Sequence, residues 1–412
     1  MGRLDSTTRG LGPHDAVIVS YARTPFGRAR KGTLATERPE DLGTAAIRAA
    51  IDRTPELDPS ELQDFWVGTA VPQGAQGDNL ARRIAVLAGR DHLPGATINR
   101  FCASSLEAVA AASRAIRAGD GDAYLVGGVE STTTEPPKTK DPHPAFARAS
   151  EHSDAVFHSG EEWRDPRTDG ELPDIYLAMG RTAEFVARLT GTTRADQDAW
   201  ALSSQRRTAR AIATGYFERE ITPYTRADGS VITMDDGPRP QTTAEGLAEL
   251  HPAFLDSGTV TAGNASPLND GASAAVLMSA RRAADLGLTP LARVLGAGAS
   301  ALSPEIMGLG PVEASQRLLE RLGLAIADID LIELNEAFAA QVVPTVERLG
   351  ADPDRVNPHG GAISLGHPFG ATGVRLVGTL SHGLATRDGT LGLATLCVGG
   401  GQGMALVVER LS

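Results

Sequence analysis

Residues 64–103 read DFWVGTAVPQGAQGDNLARRIAVLAGRDHLPGATINRFCA, and residues 330–368 read DLIELNEAFAAQVVPTVERLGADPDRVNPHGGAISLGHP. The two stretches can be laid on each other. In each, a strand runs first and a helix follows a Gly- or Ser-rich turn. Cys102 comes 38 residues after Asp64, and His367 comes 37 after Asp330. After each helix the chain makes a short acidic turn into another strand, GDGDAYLV in one case and RDGTLGLATL in the other. This self-similarity reads as an internal duplication of one α/β unit. Two such halves packed face to face would place Cys102 and His367 at pseudo-equivalent positions near the shared interface.

Working outward, the N-terminal part alternates apolar strand runs with helical patterns. AVIVS (16–20), FWVGTAV (65–71), GATIN (95–99) and DAYLVGGVE (122–130) read as strands. Helices are expected from about Asp41, over 79–89 and after Cys102. The alternation predicts an α/β class with a mainly parallel sheet. From Ser131 to Gly170 the composition shifts to Pro, Thr, His and charge, which reads as long loops or an inserted lobe. Helices resume over Ile175–Leu189 and Arg194–Thr214, before the turn-rich TVTAGNASPLNDG and a strand ASAAVLMS. The C-terminal part repeats the first pattern: strand 292–300, a helix with Leu318, Leu319 and Leu322 on one face, and a helix carrying Val374, Val377 and Leu380. Strands LGLATLC and MALVVER close the chain around the turn VGGGQG. The expected division is residues 1–131 for the N-terminal half, completed by about 269–290, then an inserted domain over 132–268 and a C-terminal half over 291–412.

Composition narrows the function. A 412-residue chain with 41% hydrophobic residues can bury a large core, and 46 glycines against 4% aromatics favour tight turns and close backbone packing. A net charge of −12 repels nucleic acid and anionic lipid. The dense basic run from Arg23 to Lys31 reads as a solvated loop. Two cysteines, Cys102 and Cys397, lie 295 residues apart, which is no disulfide framework. No apolar run approaches a membrane span. Met1–Asp15 is polar, without a signal-peptide core, and the final Glu409-Arg410-Leu411-Ser412 is no peroxisomal Ser-Lys-Leu tail. A soluble, reducing, cytoplasmic setting is expected.

Four places carry chemistry. Cys102 follows a strand and precedes a helix, where free N–H groups and the helix dipole stabilise a thiolate. Ser104 with Glu107 fits a capping box for that helix. The plain alternative for a lone cysteine is a small buried apolar residue. His367, in GHPFGATG, sits among small residues that let a backbone approach its ring closely; His359, in NPHGG, has a similar setting. A histidine beside a cysteine would serve as the base that activates the thiol, while an isolated one is as readily a capping or core residue. Cys397 ends a strand before VGGGQG, whose exposed N–H groups can form an oxyanion hole or be plain turns. Asn335-Glu336 follow the strand DLIEL. The amide there can hold a water or polarise a carbonyl, or simply cap a helix. Glu336 could orient His or Asn side chains.

Together, NRFCASS (99–105), NEAF (335–338), GGAISLGHPFGATG (360–373) and CVGGGQG (397–403) resemble the four active-site loops of thiolases. VIVSYARTPFG near the start, GGVES, AMGRTAE, GTVTAGNASPLNDGAS and MGLGP are similar as well, in order along nearly the whole chain. The resemblance implies the duplicated five-layered α-β-α-β-α fold with a loop domain inserted in the first half. Carried over position by position, it implies Cys102 as the acylated nucleophile and His367 as its activator. Cys397 matches the acid/base at the substrate α-carbon. Asn335 matches the residue that holds a water in one oxyanion hole with His367, and the N–H groups of Cys102 and Gly399 match the second hole. Ser266 and Ala262 match pantetheine-contacting positions, and Phe254, Met307 and Phe338 fall in the same CoA-site motifs.

The implied chemistry suits these residue types. A thioester carbonyl needs a nucleophile that is also a good leaving group, and a thiolate is both. Forming a carbon nucleophile beside a thioester needs a base and a stabilised enolate oxygen. No metal or redox cofactor is required; CoA and acyl-CoA are the expected ligands, and a homodimer or homotetramer the expected assembly. Two departures leave the CoA nucleotide end unassigned: the 157–180 stretch lacks the His-Leu-Arg segment of many biosynthetic thiolases, and His251 stands where Arg is usual. SPLNDG leans toward the degradative, 3-ketoacyl-CoA class. The competing expectations are a decarboxylating ketosynthase, which the second cysteine argues against, and a non-catalytic lipid-binding homologue, which would be expected to lose one of the four loops.

Overall fold

The structure, a computed structural model, describes residues 10–135 and 141–412. The Met1–Arg9 part of the polar N-terminal stretch, and residues 136–140 of the expected lobe, lie outside the described residues.

In chain order the strands are β1 (Ala16–Arg23), β2 (Gly27–Arg28), β3 (Phe65–Gly68), β4 (Gly95–Ile98), β5 (Ala123–Ser131), β6 (Tyr224–Thr225), β7 (Val231–Ile232), β8 (Asn269–Ser279), β9 (Ala292–Ala301), β10 (Leu331–Leu334), β11 (Leu391–Val398) and β12 (Gln402–Arg410). All but β6 and β7 join one path, β10-β11-β12-β9-β1-β8-β5-β3-β4, with β2 on the end of β8. The path is a mirror of itself. On one side β3 and β5 are parallel, β5 and β8 antiparallel, and β8 and β1 antiparallel. On the other, β10 and β11 are parallel, β11 and β12 antiparallel, and β12 and β9 antiparallel. The halves meet through two residue pairs, Val17↔Arg293 and Ile18↔Ala292. This matches the duplication read from sequence.

The sheet is mixed, which corrects the expectation of a mainly parallel one. The βαβ rhythm governs only β3-β4-β5 and β10-β11. The long central strands β8 and β12 return antiparallel because a hairpin or a long excursion, not a crossover helix, feeds each of them.

Five layers follow from which helix covers which face. The helices Pro39–Asp52 and Leu80–Leu87 cover the first half-sheet from outside. Gly310–Leu322 and Ala339–Leu349 cover the second. Between the half-sheets lie Ser104–Ala118 and Phe369–Thr386, packed on each other. Their approach is set by glycine: a Cβ on Gly373 would lie 2.1 Å from the Leu106 nitrogen. Val374 N–H donates to Ser105 Oγ across the same contact. The two central helices therefore start from Cys102 and His367, side by side.

Between β5 and β8 the chain leaves the sheet for an excursion of helices, chiefly Ala147–Ser159, Met179–Thr190 and Arg194–Ala213, with the small β6-β7 hairpin. The Met179 helix begins later than predicted because the Asp174 carboxylate takes the Tyr176 N–H and the Ser150 hydroxyl, holding 174–178 as a turn. The basic run is solvated at Arg28, Arg30 and Lys31 but not at Arg23, which is fully buried between Glu220 and Asp235. No helix among the described residues is long and apolar enough to cross a membrane.

Candidate active site

Cys102 lies in a tight turn. Phe101 takes the left-handed conformation, φ 43°, rare for a residue with a side chain. Ser104 Oγ accepts from Arg100 N–H at 2.9 Å and donates to the Phe101 carbonyl at 2.6 Å, closing the loop. The expected capping box does not form. Ser104 is already the first helical residue, and Glu107 pairs with Arg100 and Arg114 instead.

The Gly399 N–H lies where it favours negative charge on the Cys102 sulfur, and Cys397 and Glu130 are close enough to act on that sulfur electrostatically. Burial outweighs the nearby Gly399 N–H and pushes the thiol well above the ordinary cysteine range, with the Cys397 sulfur and the Glu130 carboxylate adding to the rise. Burial thus acts against the thiolate that the helix terminus was expected to stabilise. The Gly399 N–H comes near the sulfur because Gly400 and Gly401 take φ of 75° and 77°, open to glycine, and turn β11 back into β12.

His367 is buried, and both ring nitrogens are engaged. Thr372 Oγ1 donates to the Pro368 carbonyl at 2.9 Å, so toward His367 Nδ1, 2.7 Å away, it acts as acceptor. That network assigns the proton to Nδ1 and the lone pair to Nε2. Asn335 Nδ2 donates to Nε2 at 3.2 Å, and Asn335 Oδ1 has no hydrogen-bond partner among the described residues. Burial first, then the Arg375 charge, lowers the His367 pKa to about 3, so the ring is neutral. A neutral imidazole with its lone pair on Nε2 is able to accept a proton.

Cys397 ends β11, buried among Met307, Ala337, Met179 and Phe338. Burial pushes its thiol up to about 12, against a hydrogen bond from Gln341 Nε2 at 2.7 Å. Of the positions implied for CoA, Ser266 and Phe338 are half-buried, and Ala262 and Phe254 are exposed. Ser266 N–H donates to the Ala337 carbonyl, and the Phe254 ring meets Phe338 edge-on. Met307 is buried in the same cluster as Cys397.

Glu336 does not reach His367 or Asn335. Its carboxylate takes Trp200 Nε1, Ser204 Oγ, Asn357 Nδ2 and the Ile363 N–H, lashing the NEAF turn to the GGAIS turn and to the excursion. His359 also lies elsewhere, stacked on Tyr216 with centroids 3.8 Å apart. Three residues at the site escaped the sequence reading: Thr372, Gln341 and Glu130. Glu130 is fully buried and accepts from the N–H groups of Ala70, Val71 and Gly370, from Gln76 Nε2 and from Thr69 Oγ1. A carboxylate at the end of the apolar run AYLVGGVE was the available signal.

A mirrored sheet bearing a cysteine and a histidine at the heads of its two inner helices defines a class, and sequence comparison names it. The thiolase N-terminal domain model matches residues 16–281 and the thiolase C-terminal domain model residues 288–410. The chain belongs to the thiolase family, whose members are acyltransferases acting on CoA thioesters. It is 41% identical to the 3-ketoacyl-CoA thiolase of Bacillus subtilis over 96% of this chain and 99% of the relative. It is 44% identical to the β-ketoadipyl-CoA thiolase of Pseudomonas aeruginosa, over 96% and 99%, and 43% identical to the acetyl-CoA acetyltransferase of Escherichia coli, over 97% and 100%. The crystal structure of the Bacillus anthracis acetyl-CoA acetyltransferase superposes with a TM-score of 0.84 at 36% identity, covering 97% of this chain and 99% of that one.

Proposed function

We propose that the chain transfers acyl groups between CoA thioesters and free CoA through an acyl-enzyme on Cys102, in the sense of 3-ketoacyl-CoA thiolysis or its reverse, acetyl-CoA condensation. The observation that carries the reading is the packing of the helix after Cys102 on the helix after His367, whose Nε2 meets Asn335 Nδ2 at 3.2 Å. In thiolysis, His367 Nε2 accepts the Cys102 proton as sulfur attacks the 3-keto carbonyl. The oxygen gains charge facing N–H donors. The bond between the α- and keto-carbons breaks, and the Cys397 thiol gives its proton to the departing α-carbon. Free CoA then gives its thiol proton to the Cys397 thiolate and attacks the acyl-Cys102 thioester, and the departing Cys102 sulfur recovers its proton from His367. Asn335 and His367 form one oxyanion site, and the Cys102 and Gly399 N–H groups the other.

The pantetheine arm enters past Ala262, Ser266, Phe254 and Phe338, with Met307 at the acyl end. CoA is a substrate here and no cofactor stays bound. The working assembly is a homodimer or homotetramer in the cytoplasm. The excursion over 132–268 forms a separate loop domain on the N-terminal half. Thiolysis of 3-ketoacyl-CoA substrates of graded chain length, with intact-mass detection of one acyl adduct, tests the reading. An adduct that survives Cys102→Ala overturns it.

A further inference from the structure

The Cys397 sulfur has a partner that the motifs do not include. Gln341 lies in the first turn of the helix Ala339–Leu349, six residues beyond Asn335, and is 2% exposed. Its Nε2 stands 2.7 Å from Cys397 Sγ, and its Oε1 has no hydrogen-bond partner among the described residues. The fit is shaped from behind. A Cβ on Gly308 would lie 2.6 Å from Gln341 Oε1 and 2.7 Å from Gln341 Cβ, so any other residue there would displace the amide. The remaining neighbours of the sulfur, Met179, Met307, Ala337 and Phe338, are apolar and carry no charge. Across the site, Cys102 is the titratable group coupled to it.

We propose that Gln341 is a positioning residue for the proton-transfer step, holding the Cys397 sulfur at the substrate α-carbon and stabilising it in both of its protonation states. This rests on the reading of Cys397 as the acid/base. In condensation Cys397 first gives its proton to the CoA that leaves on acetylation. The thiolate so formed then takes the α-proton: the C–H bond breaks, an S–H bond forms on Cys397, and the electron pair moves onto the thioester oxygen as an enolate. In thiolysis the S–H proton returns to carbon. A thiolate in an apolar cluster needs a donor, and a thiol offers a hydrogen. A primary amide meets both needs, with Nε2–H toward the thiolate or, turned over, Oε1 toward the S–H. The free Oε1 is what makes that exchange possible. The direction agrees with the Gln341 hydrogen bond opposing the rise that burial imposes on Cys397.

The test compares two half-reactions in Gln341→Leu, with Gln341→Met as a second variant where Leu compromises folding. Acetyl-enzyme formation at Cys102 from acetyl-CoA is followed by mass, and exchange of the acetyl methyl protons into deuterated water by NMR. The expected result is acetylation within about twofold of wild type, while exchange falls about 10–100-fold, the usual cost of losing a group that orients a reacting one, and its pH profile moves to higher pH. Gln341→Glu should move the profile further, since a carboxylate opposes thiolate formation. Exchange that is unchanged in rate and pH profile, or that falls in parallel with acetylation, overturns the proposal. Cys397→Ala separates the two ideas. If it exchanges as fast as wild type, the reading of Cys397 fails. If it loses exchange while Gln341→Leu keeps it, only the role of Gln341 fails.

Discussion

Asn335 donates from Nδ2 to His367 Nε2 at 3.2 Å, which ties the turn after β10 to the residue heading the second central helix. The contact occupies the lone pair that the reaction needs, so the amide must yield as the thiol proton moves. Removing His367 as Ala should slow acetyl-enzyme formation by about 10²–10⁴, the usual worth of a general base, with little change in CoA binding. Thr372→Val removes the acceptor that keeps the proton on Nδ1 and should cost about 10–100-fold, as orienting groups do. Stopped-flow acetylation and CoA titration on both variants check this. An unchanged acetylation rate in His367→Ala removes the ring from the site.

The site was legible in sequence where chemistry is written in residue type. Cys102, His367, Asn335 and Cys397 each stand in a short motif at a strand end or helix head. The pairing of the halves was legible because the repeat keeps the same order of strand, turn and helix. What escaped was set by packing. Gln341 looks like an ordinary helix residue until Gly308 presses it against Cys397. The helix terminus at Cys102 is local and visible in sequence, whereas the burial that opposes it comes from distant segments. Sheet direction was misjudged because β8 pairs antiparallel with β5 and β1, both far away in the chain, and β9 does the same with β12.

Burial of the Cys102 thiol has a measurable consequence. It raises the thiol, with the Cys397 sulfur and the Glu130 carboxylate adding to the rise. Alkylation by iodoacetamide should therefore climb steadily from about pH 7 to about pH 10, without the acid-side plateau of a preformed thiolate. Glu130→Gln removes that carboxylate and should move the curve to lower pH, while loosening the turn at Ala70 and Val71 that the carboxylate holds. Superimposable curves for the two proteins would show that the Glu130 charge does not reach the sulfur.

His359 predicts part of the acid limb of stability. Burial first, then the Arg387 charge, lowers its pKa to about 4, below the ordinary value of 6.5. Between those values the unfolded chain binds a proton that the folded one refuses, so stability falls as pH drops from about 6.5 toward about 4. His359→Phe keeps the stack on Tyr216 and removes the titration. Urea unfolding at pH 7 and pH 4.5 should show the variant losing about 2 kcal/mol less than wild type, a figure reduced for the partial exposure of the ring. Equal losses in both proteins would place the acid sensitivity in other groups.

Arg375 and Glu333 form a fully buried pair at 2.7 Å, and Arg375 Nε, Arg375 Nη2 and Glu333 Oε1 have no hydrogen-bond partner among the described residues. The pair joins the helix Phe369–Thr386 to β10, two residues before Asn335, so it fixes the distance over which Asn335 meets His367. Burial pushes the Glu333 carboxyl upward, and the guanidinium beside it pulls it back down. An ion pair so buried and so incompletely satisfied adds little net stability, yet removing one partner strands the other. Arg375→Leu should cost about 3–5 kcal/mol in urea unfolding. Leu at both positions should be more stable than Arg375→Leu alone, because the stranded carboxylate is gone. That double variant should nevertheless acetylate Cys102 slowly, with Asn335 and His367 no longer held in register. If the two substitutions add without coupling, the pair is not a unit. If the double variant acetylates at the wild-type rate, the pair is packing and does not position the site.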